Sequence, residues 1–209
     1  GGGAAGPSTT SFYLSTNASL DAGDVLLGSR AVPGLAAGAT NAGATAVTMP
    51  AGIGAGTYYL IAKADADNGV GETQEGNNTA LRIIQVGPDL VLVVFTAPFT
   101  AGAGATITVS DTTRNQGGGA AGSSTTRFYL STNTVLDAGD VLLGTRAVAT
   151  LAAGAQNSET TVLTIPAGTA TGNYSVIAQV DGDGAVAETQ EGNNTTARSI
   201  QIGSDLAIS

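Results

Sequence analysis

Hydrophobic and polar residues alternate in short runs along the whole chain. In residues 105–114, Ile107 and Val109 alternate with threonine and serine, and residues 173–180 carry an apolar side chain at every second position. Runs of this kind, bounded by Gly, Asn and Asp, are typical of half-buried β-strands. No stretch keeps the spacing of an amphipathic helix, so the pattern predicts an all-β protein.

Seven strands are predicted between residues 89 and 202. Their expected ranges are 89–95, 105–114, 125–131, 141–148, 158–165, 173–180 and 196–202. Seven short strands separated by turn residues are typical of an immunoglobulin-like or fibronectin-III-like β-sandwich.

The chain also contains a long internal repeat. Residues 1–93 align without a gap on residues 117–209, and 59 of these 93 positions are identical. An offset of 116 residues is the length of a domain, which indicates a tandem array of sandwiches. The alignment predicts a partial sandwich at 1–88 that lacks its first two strands, a complete sandwich at 89–204, and the start of the next first strand at 205–209.

A sandwich without its first two strands would expose one sheet face and unpaired strand edges, which favour pairing with another segment. We therefore expect residues 1–88 to take the missing strands from upstream sequence or from a neighbouring subunit. The segment 205–209 would lie against the partial domain of the next unit. The expected partners are neighbouring repeats or identical subunits in head-to-tail contact.

Composition narrows the possible chemistry. The chain has no cysteine or histidine, which excludes disulfides, thiolate nucleophiles and imidazole bases, and with them most zinc sites and the common hydrolase triads. A net charge of −9 disfavours a nucleic-acid partner. The longest apolar run, residues 90–95, is far shorter than the ~20 residues of a membrane span.

Fourteen of the sixteen acidic residues fall in seven pairs related by the repeat, and most lie in two loops. The loop after strand six, residues 65–78 and 181–194, contains the motif ETQEGNNT in both copies. Carboxylates in such a loop suit calcium, which takes six to eight oxygen ligands, although the spacing differs from that of an EF-hand. The candidate ligands are Asp65, Asp67, Glu72, Glu75, Asp181, Asp183, Glu188 and Glu191.

Two other interpretations of this loop stay open. Asn77 and Asn78 could cap a turn by hydrogen bonds to the backbone, while Glu72 and Glu75 bond backbone N–H groups or remain solvated. The two glutamates could also form an acid/base pair, as in glycosidases. Their exposed, polar setting disfavours catalysis, so we expect no enzyme activity.

The second acidic loop, residues 20–24 and 136–140, follows strand three. In a seven-strand sandwich it lies at the end opposite the loop after strand six, so Asp21 and Asp24 of one repeat should approach Asp181 and Asp183 of the next. Facing carboxylates repel unless a cation lies between them. A second, interdomain calcium site is therefore predicted, and its ligands include the repeat-related aspartates Asp21, Asp24, Asp137 and Asp140.

Pro-Ala-Gly followed by Gly-x-Tyr leads into strand six in both copies, at Tyr58 and Tyr174. A tyrosine at this place can hydrogen-bond the preceding corner, as the tyrosine corner of such sandwiches does, or can be a core side chain with its hydroxyl in solvent.

Together with the run FYLSTNxxLDAGDxLLG and the Glu-x-x-Glu-x-Asn-Asn signature, this motif resembles CARDB, the cell-adhesion-related domain found in bacteria. The resemblance implies an immunoglobulin-like fold and a place in long extracellular surface proteins, but no single ligand. We therefore expect a structural segment of a surface protein or filament that supports adhesion or head-to-tail assembly. The rival is an adhesive module whose exposed loops bind a glycan or a protein. With only nine Phe and Tyr residues in the chain, the structural role is favoured.

Overall fold

The structure, a computed structural model, describes residues 2–203 and consists almost entirely of antiparallel β-sheet. It divides into two compact units, residues 1–86 (unit 1) and residues 87–209 (unit 2). The predicted strand start at 205–209 lies outside the described residues. The only helices in residues 2–203 are two single 3₁₀ turns, and neither is long enough to cross a membrane.

Unit 2 is a two-sheet sandwich with the predicted strands. Its strands are β5 (Leu90–Thr96), β6 (Thr100–Ala101), β7 (Thr106–Asn115), β8 (Ser124–Ser131), β9 (Val141–Val148), β10 (Gln156–Thr164), β11 (Gly172–Gln179) and β12 (Thr195–Ile202). One sheet has the order β10-β7-β5, and the other has the order β6-β12-β11-β8-β9. All seven predicted strands are confirmed, with ends that shift by one or two residues. The two-residue strand β6, which pairs in parallel with β12, was missed because two residues carry no alternation.

The core of unit 2 fills the space between the two sheets. Phe95 of β5 stacks on Phe128 of β8 with ring centroids 6.2 Å apart, and both rings are buried. Ile107 and Val109 of β7 join the same cluster from the three-stranded sheet. Burial of side chains of this size stabilises a fold by roughly 1.5–3 kcal/mol each.

A buried ion pair connects the two sheets of unit 2. The guanidinium of Arg146 on β9 donates to both carboxylate oxygens of Asp111 on β7, with a distance of 3.0 Å from Nε to Oδ1. Arg146 also donates to Thr113 Oγ1 at 3.1 Å and to Asn157 Oδ1 at 2.5 Å. A buried ion pair is tolerated when hydrogen bonds satisfy its charged groups in this way.

Unit 1 consists of a single four-stranded sheet. Its strands are β1 (Ser8–Ser15), β2 (Val25–Val32), β3 (Gly56–Lys63) and β4 (Thr79–Val86), in the order β2-β1-β3-β4. By the repeat offset these correspond to β8, β9, β11 and β12. The repeat offset also predicts a fifth strand of unit 1 at residues 42–49, the counterpart of the strand predicted at 158–165. This prediction is wrong, because the segment 42–49 forms no ladder. Its counterpart β10 pairs with β7 alone, and unit 1 has no counterpart of β7 in the described residues.

The inner face of the unit 1 sheet is therefore only partly covered. Phe12 and Ile84 are half-buried, whereas their counterparts Phe128 and Ile200 are 0% and 2% exposed. The same sequence pattern thus builds a closed core in unit 2 and an open face in unit 1.

Candidate functional site

The loop after strand six in unit 2, residues 181–194, binds the segment that enters the first strand. Glu188 Oε1 accepts the backbone N–H of Leu90 at 2.6 Å. The side-chain amide of Asn193 donates to Asp89 Oδ1 at 2.9 Å. Two side chains of the repeated motif therefore hold the residues just before and at the start of β5.

Asp89 and Pro88 also make hydrogen bonds to other residues of unit 2. The backbone N–H of Thr189 donates to the carbonyl of Pro88 at 2.9 Å. The side chain of Gln116 donates to Asp89 Oδ2 at 2.9 Å, and the N–H of Asp89 donates to Asn115 Oδ1 at 3.1 Å. Asp89 is buried, and these bonds satisfy its carboxylate. The loop and the start of β5 form one hydrogen-bonded cluster.

Glu188 is the central side chain of this cluster. Its second carboxylate oxygen accepts the amide of Asn194 at 2.5 Å, and the residue is only 8% exposed. Burial raises the pKa of Glu188 to about 7, against the opposing effect of hydrogen bonds from Asn194 and Leu90. The carboxyl group is therefore partly protonated near neutral pH.

Asp181 and Asp65 hold the backbone of their own loops. Each occupies the left-handed region, with φ of 47° and 44°, and each accepts two backbone N–H groups four and five residues further on. Burial raises the pKa of Asp181, which is 4% exposed. The second glutamate of each motif binds the backbone of the first. Glu191 Oε1 accepts the N–H of Glu188 at 3.0 Å, and Glu75 accepts the N–H of Glu72 in the same way.

The turn interpretation is confirmed for the second glutamates, but not for the asparagines. Asn78 donates to Glu72 and Asn193 donates to Asp89, so these amides bind carboxylates rather than the backbone. The reason is that a carboxylate is the stronger acceptor.

The predicted metal ligands are only partly brought together. In unit 1, Asp65, Glu72 and Glu75 each offer one carboxylate oxygen within 4.8 Å of the others. Asp67 is not a member of this group and accepts the hydroxyl of Thr9 at 3.3 Å. Within residues 2–203, the counterparts in unit 2 do not form a cluster of this kind.

Asp183, the counterpart of Asp67, is bound to the start of β8. It accepts the N–H and the hydroxyl of Thr125 at 3.1 and 2.9 Å. Burial acts to raise the pKa of Asp183, but the hydrogen bonds from Thr125 outweigh it and lower the pKa.

The aspartates of the loop after strand three close their own turn in each unit. In unit 2 the N–H of Asp137 donates to Asp140 Oδ2, and Asp137 Oδ1 accepts the N–H of Gly139. Asp21 and Asp24 repeat this pattern, and the pKa of Asp21 is lowered by the N–H of Gly23 and the amide of Asn17.

The register of β8 and β11 places the ends of strands three and six at opposite ends of unit 2, because Ser131 pairs with Ser175 and Arg127 with Gln179. The expected geometry of a single sandwich is thus confirmed. The interdomain cation site stays a prediction.

The two motif tyrosines differ. The Tyr58 hydroxyl donates to the carbonyl of Gly54 at 3.2 Å, which confirms a tyrosine corner in unit 1. Tyr174 makes no such bond to a described residue and instead packs against the core of unit 2.

Comparison with known proteins gives one family and several solved folds. The CARDB family model matches residues 1–82 and 87–198. The CARDB domain of the PF1109 protein from Pyrococcus furiosus, solved in complex with di-metal ions, is 23% identical with a TM-score of 0.44 and covers 56% of this chain and 90% of its own.

Two further structures show partial similarity. A domain of a putative cell surface protein from Methanosarcina acetivorans is 25% identical with a TM-score of 0.42, over 57% of this chain and 96% of its own. A beta-glucosidase from Listeria innocua, in complex with glucose, is 18% identical with a TM-score of 0.41, over 57% of this chain and 17% of its own. No curated protein matches this chain.

Proposed function

This chain belongs to the CARDB family, and from that premise we propose that it is a structural segment of an extracellular surface protein. Its tandem repeats act as a rod or stalk that supports adhesion or head-to-tail assembly. The observation that carries this proposal is the use of the repeated motif in unit 2. Glu188, Asn193 and Thr189 bind the first residues of the domain, so the most distinctive polar groups of the repeat serve its architecture.

The short connection between the repeats supports the same role. Strand β4 ends at Val86, and unit 2 already holds the carbonyls of Gly87 and Pro88 through the N–H groups of Gly119 and Thr189, so no free linker residue remains. Proline restricts the backbone further, because its ring fixes φ. A link this short limits bending, as a stalk requires.

Small-angle X-ray scattering of the full chain tests the rod. The matched variant carries a six-residue Gly/Ser insertion between Val86 and Gly87. We expect the insertion to broaden the distribution of interatomic distances, because it releases the link. An unchanged distribution would show that the link is already flexible and would contradict the rod. Protease treatment of intact source cells tests the extracellular location, since a surface segment is cleaved and an internal one is protected.

We further propose that Asp65, Glu72 and Glu75 bind a divalent cation, with calcium the best match to an all-oxygen group. Their oxygens lie close enough to share one ion. The counterparts Asp181, Asp183, Glu188 and Glu191 already accept N–H groups of the protein, so we expect a second ion at these residues to bind more weakly. Isothermal titration with calcium should show one site fewer in Glu75→Gln than in the unchanged chain. Equal heats in the two proteins would exclude this site.

An adhesive module remains the second candidate because unit 2 carries one unusually exposed aromatic ring. Phe99 is 87% exposed and borders an open cleft of about 440 Å³ that also contains Asn133, Asn173 and Gln201. Aromatic faces beside amide groups suit sugar rings, which offer C–H faces and hydroxyls. Screening the full chain on a glycan array, with Phe99→Ala as the control, decides between the two. A hit that Phe99→Ala abolishes would favour the adhesive module.

A further inference from the structure

We propose that the open face of unit 1 is an acceptor for a two-stranded β-segment with the chemistry of residues 87–116. Three polar groups of unit 1 recognise it, Glu72, Arg30 and Arg82. The inference deepens the structural role proposed above, because it names the partner that the partial domain takes. Within the described residues, each of these three side chains lacks a bond that its counterpart in unit 2 makes.

Glu72 has a free oxygen where Glu188 has a bond. In unit 2, Glu188 Oε1 accepts the N–H of Leu90, the second residue of an Asp-Leu pair. In unit 1, Glu72 keeps its bond to Asn78, but none of the described residues donates to its Oε1.

The acceptor loop is also in place already. The 3₁₀ turns of the two loops, Glu75–Asn77 and Glu191–Asn193, are each followed by an asparagine. Asn78 and Asn194 have nearly equal backbone angles, φ/ψ of −80°/−2° and −81°/−4°. A loop that has its bound conformation beforehand loses little freedom on binding.

Arg30 has a buried donor where Arg146 has an ion pair. Both arginines donate to the asparagine of the following segment, Asn41 and Asn157. Arg146 Nε then donates to Asp111, whereas Arg30 Nε is buried with no partner among residues 2–203. A buried, unpaired guanidinium nitrogen calls for a carboxylate at this position.

Arg82 shows the same difference at the third position. Its counterpart Arg198 donates from Nε to the carbonyl of Phe95 on β5 at 2.8 Å and lies over the Phe95 ring. In the described residues, Arg82 donates only to the neighbouring carbonyl of Leu81. The described residues of unit 1 thus lack the counterparts of three groups. They are the N–H of Leu90 and the carbonyl of Phe95 on strand one, and the carboxylate of Asp111 on strand two.

The backbone of unit 1 offers a matching edge. In unit 2, residues 156–164 pair with β7 in one continuous register. The corresponding residues 40–48 carry no ladder, so their N–H and C=O groups are available to a strand like β7.

These observations specify the occupant. It is a repeat-type segment that carries an Asp-Leu pair and a second aspartate placed as Asp111 is, 22 positions after Asp89. Its apolar side chains would cover the half-buried Phe12 and Ile84, as Phe95 and Val109 cover their counterparts. An Asp-Leu pair of this kind recurs in the sequence at residues 205–206.

The test uses the full 209-residue chain and a dye-labelled synthetic peptide of residues 87–116. Fluorescence anisotropy should show saturable binding of one peptide per chain. A peptide with Asp111→Asn should bind at least tenfold more weakly to the unchanged chain, and a peptide N-methylated at Leu90 should also lose at least tenfold. Both peptide variants leave the chain itself untouched, so a folding defect cannot imitate the result.

A substitution in the chain tests whether Arg30 is the group that binds Asp111 of the peptide. On Arg30→Gln, the parent and Asp111→Asn peptides should bind equally well, whereas Lys63→Gln, which removes a different cation of unit 1, should keep the tenfold difference. Absence of saturable binding, or an Asp111→Asn peptide as tight as the parent, overturns the proposal.

Sedimentation velocity tests whether a second copy of the chain occupies the open face of unit 1. Oligomers that the peptide dissociates support the acceptor, and oligomers that the peptide leaves intact contradict it. The rod is tested separately by the scattering of the linker variant, so either idea can fail alone.

Discussion

Units 1 and 2 contain the same eight-residue motif in different surroundings. In unit 2 the motif encloses the start of β5, and Glu188 is buried. In unit 1 the identical residues form the same turn, but Glu72 is exposed and the described residues of this unit contain no counterpart of β5. The difference shows that the chemistry of this motif is set by the segment it receives. A buried glutamate in one setting is a candidate cation ligand in the other.

The ion pair gives the largest expected difference between the units. Asp111→Ala would leave Arg146 buried and unpaired, and should destabilise unit 2 by about 3–5 kcal/mol without affecting unit 1. Urea unfolding followed by NMR resolves the two units. Glu159→Ala is the matched control, because Glu159 pairs directly with Asp111 across β10 and β7 yet is exposed. A loss below about 1 kcal/mol in Asp111→Ala would mean that the pair is not essential.

Calcium should act mainly on unit 1. A ligand at a hundredfold its dissociation constant stabilises the folded state by about 2.7 kcal/mol, which should appear as a higher melting temperature of unit 1. EDTA should reverse the effect, and Asp65→Asn should abolish it. Equal shifts in both units would mean that the start of β5, which is bound by Glu188, does not keep the ion away from that glutamate. No shift of the melting temperature at millimolar calcium would contradict the metal proposal.

The pH dependence of unit 2 tests the burial of Glu188. Because the folded-state pKa of about 7 is above the ordinary value of 4.5, the folded state binds the proton more tightly. The stability that protonation contributes is complete below about pH 4.5 and is lost as pH rises through about 7. The loss should be on the order of 2 kcal/mol after allowance for solvent screening.

Glu188→Gln isolates this effect from other carboxylates. The difference in unfolding free energy between the unchanged chain and the variant should grow from pH 4.5 to 7 and then level off. A difference that is constant with pH would contradict a buried, proton-binding carboxyl group.

The tyrosines give the smallest expected difference. Tyr58→Phe should destabilise unit 1 by roughly 0.5–1.5 kcal/mol, since it removes the bond to Gly54. Tyr174→Phe should be close to neutral, because its hydroxyl bonds no described residue. Thermal unfolding of the two variants checks this, and equal losses would show that Tyr174 also makes a corner bond.

Sequence patterns predicted the strands well because alternation is local information. They failed at residues 42–49, because a strand needs a neighbour to form a ladder and the described residues of unit 1 contain no counterpart of β7. They also missed the Arg146–Asp111 pair, which joins residues 35 positions apart.

The function of the motif was beyond local patterns for the same reason. Glu188 and Leu90 are 98 positions apart, and nothing in ETQEGNNT itself indicates a bond to the first strand. The cluster of carboxylates pointed to metal binding, whereas in unit 2 the same groups bind backbone and amide N–H groups of the protein.

Amide hydrogen exchange, followed by NMR in the full chain, tests the central claim that unit 1 is an open version of unit 2. In residues 156–164, the amides that pair with β7 should exchange slowly, while the corresponding amides of residues 40–48 should exchange rapidly. Addition of the 87–116 peptide should slow exchange in residues 40–48 alone. Protection of residues 40–48 in the free chain, equal to that of residues 156–164, would contradict the account.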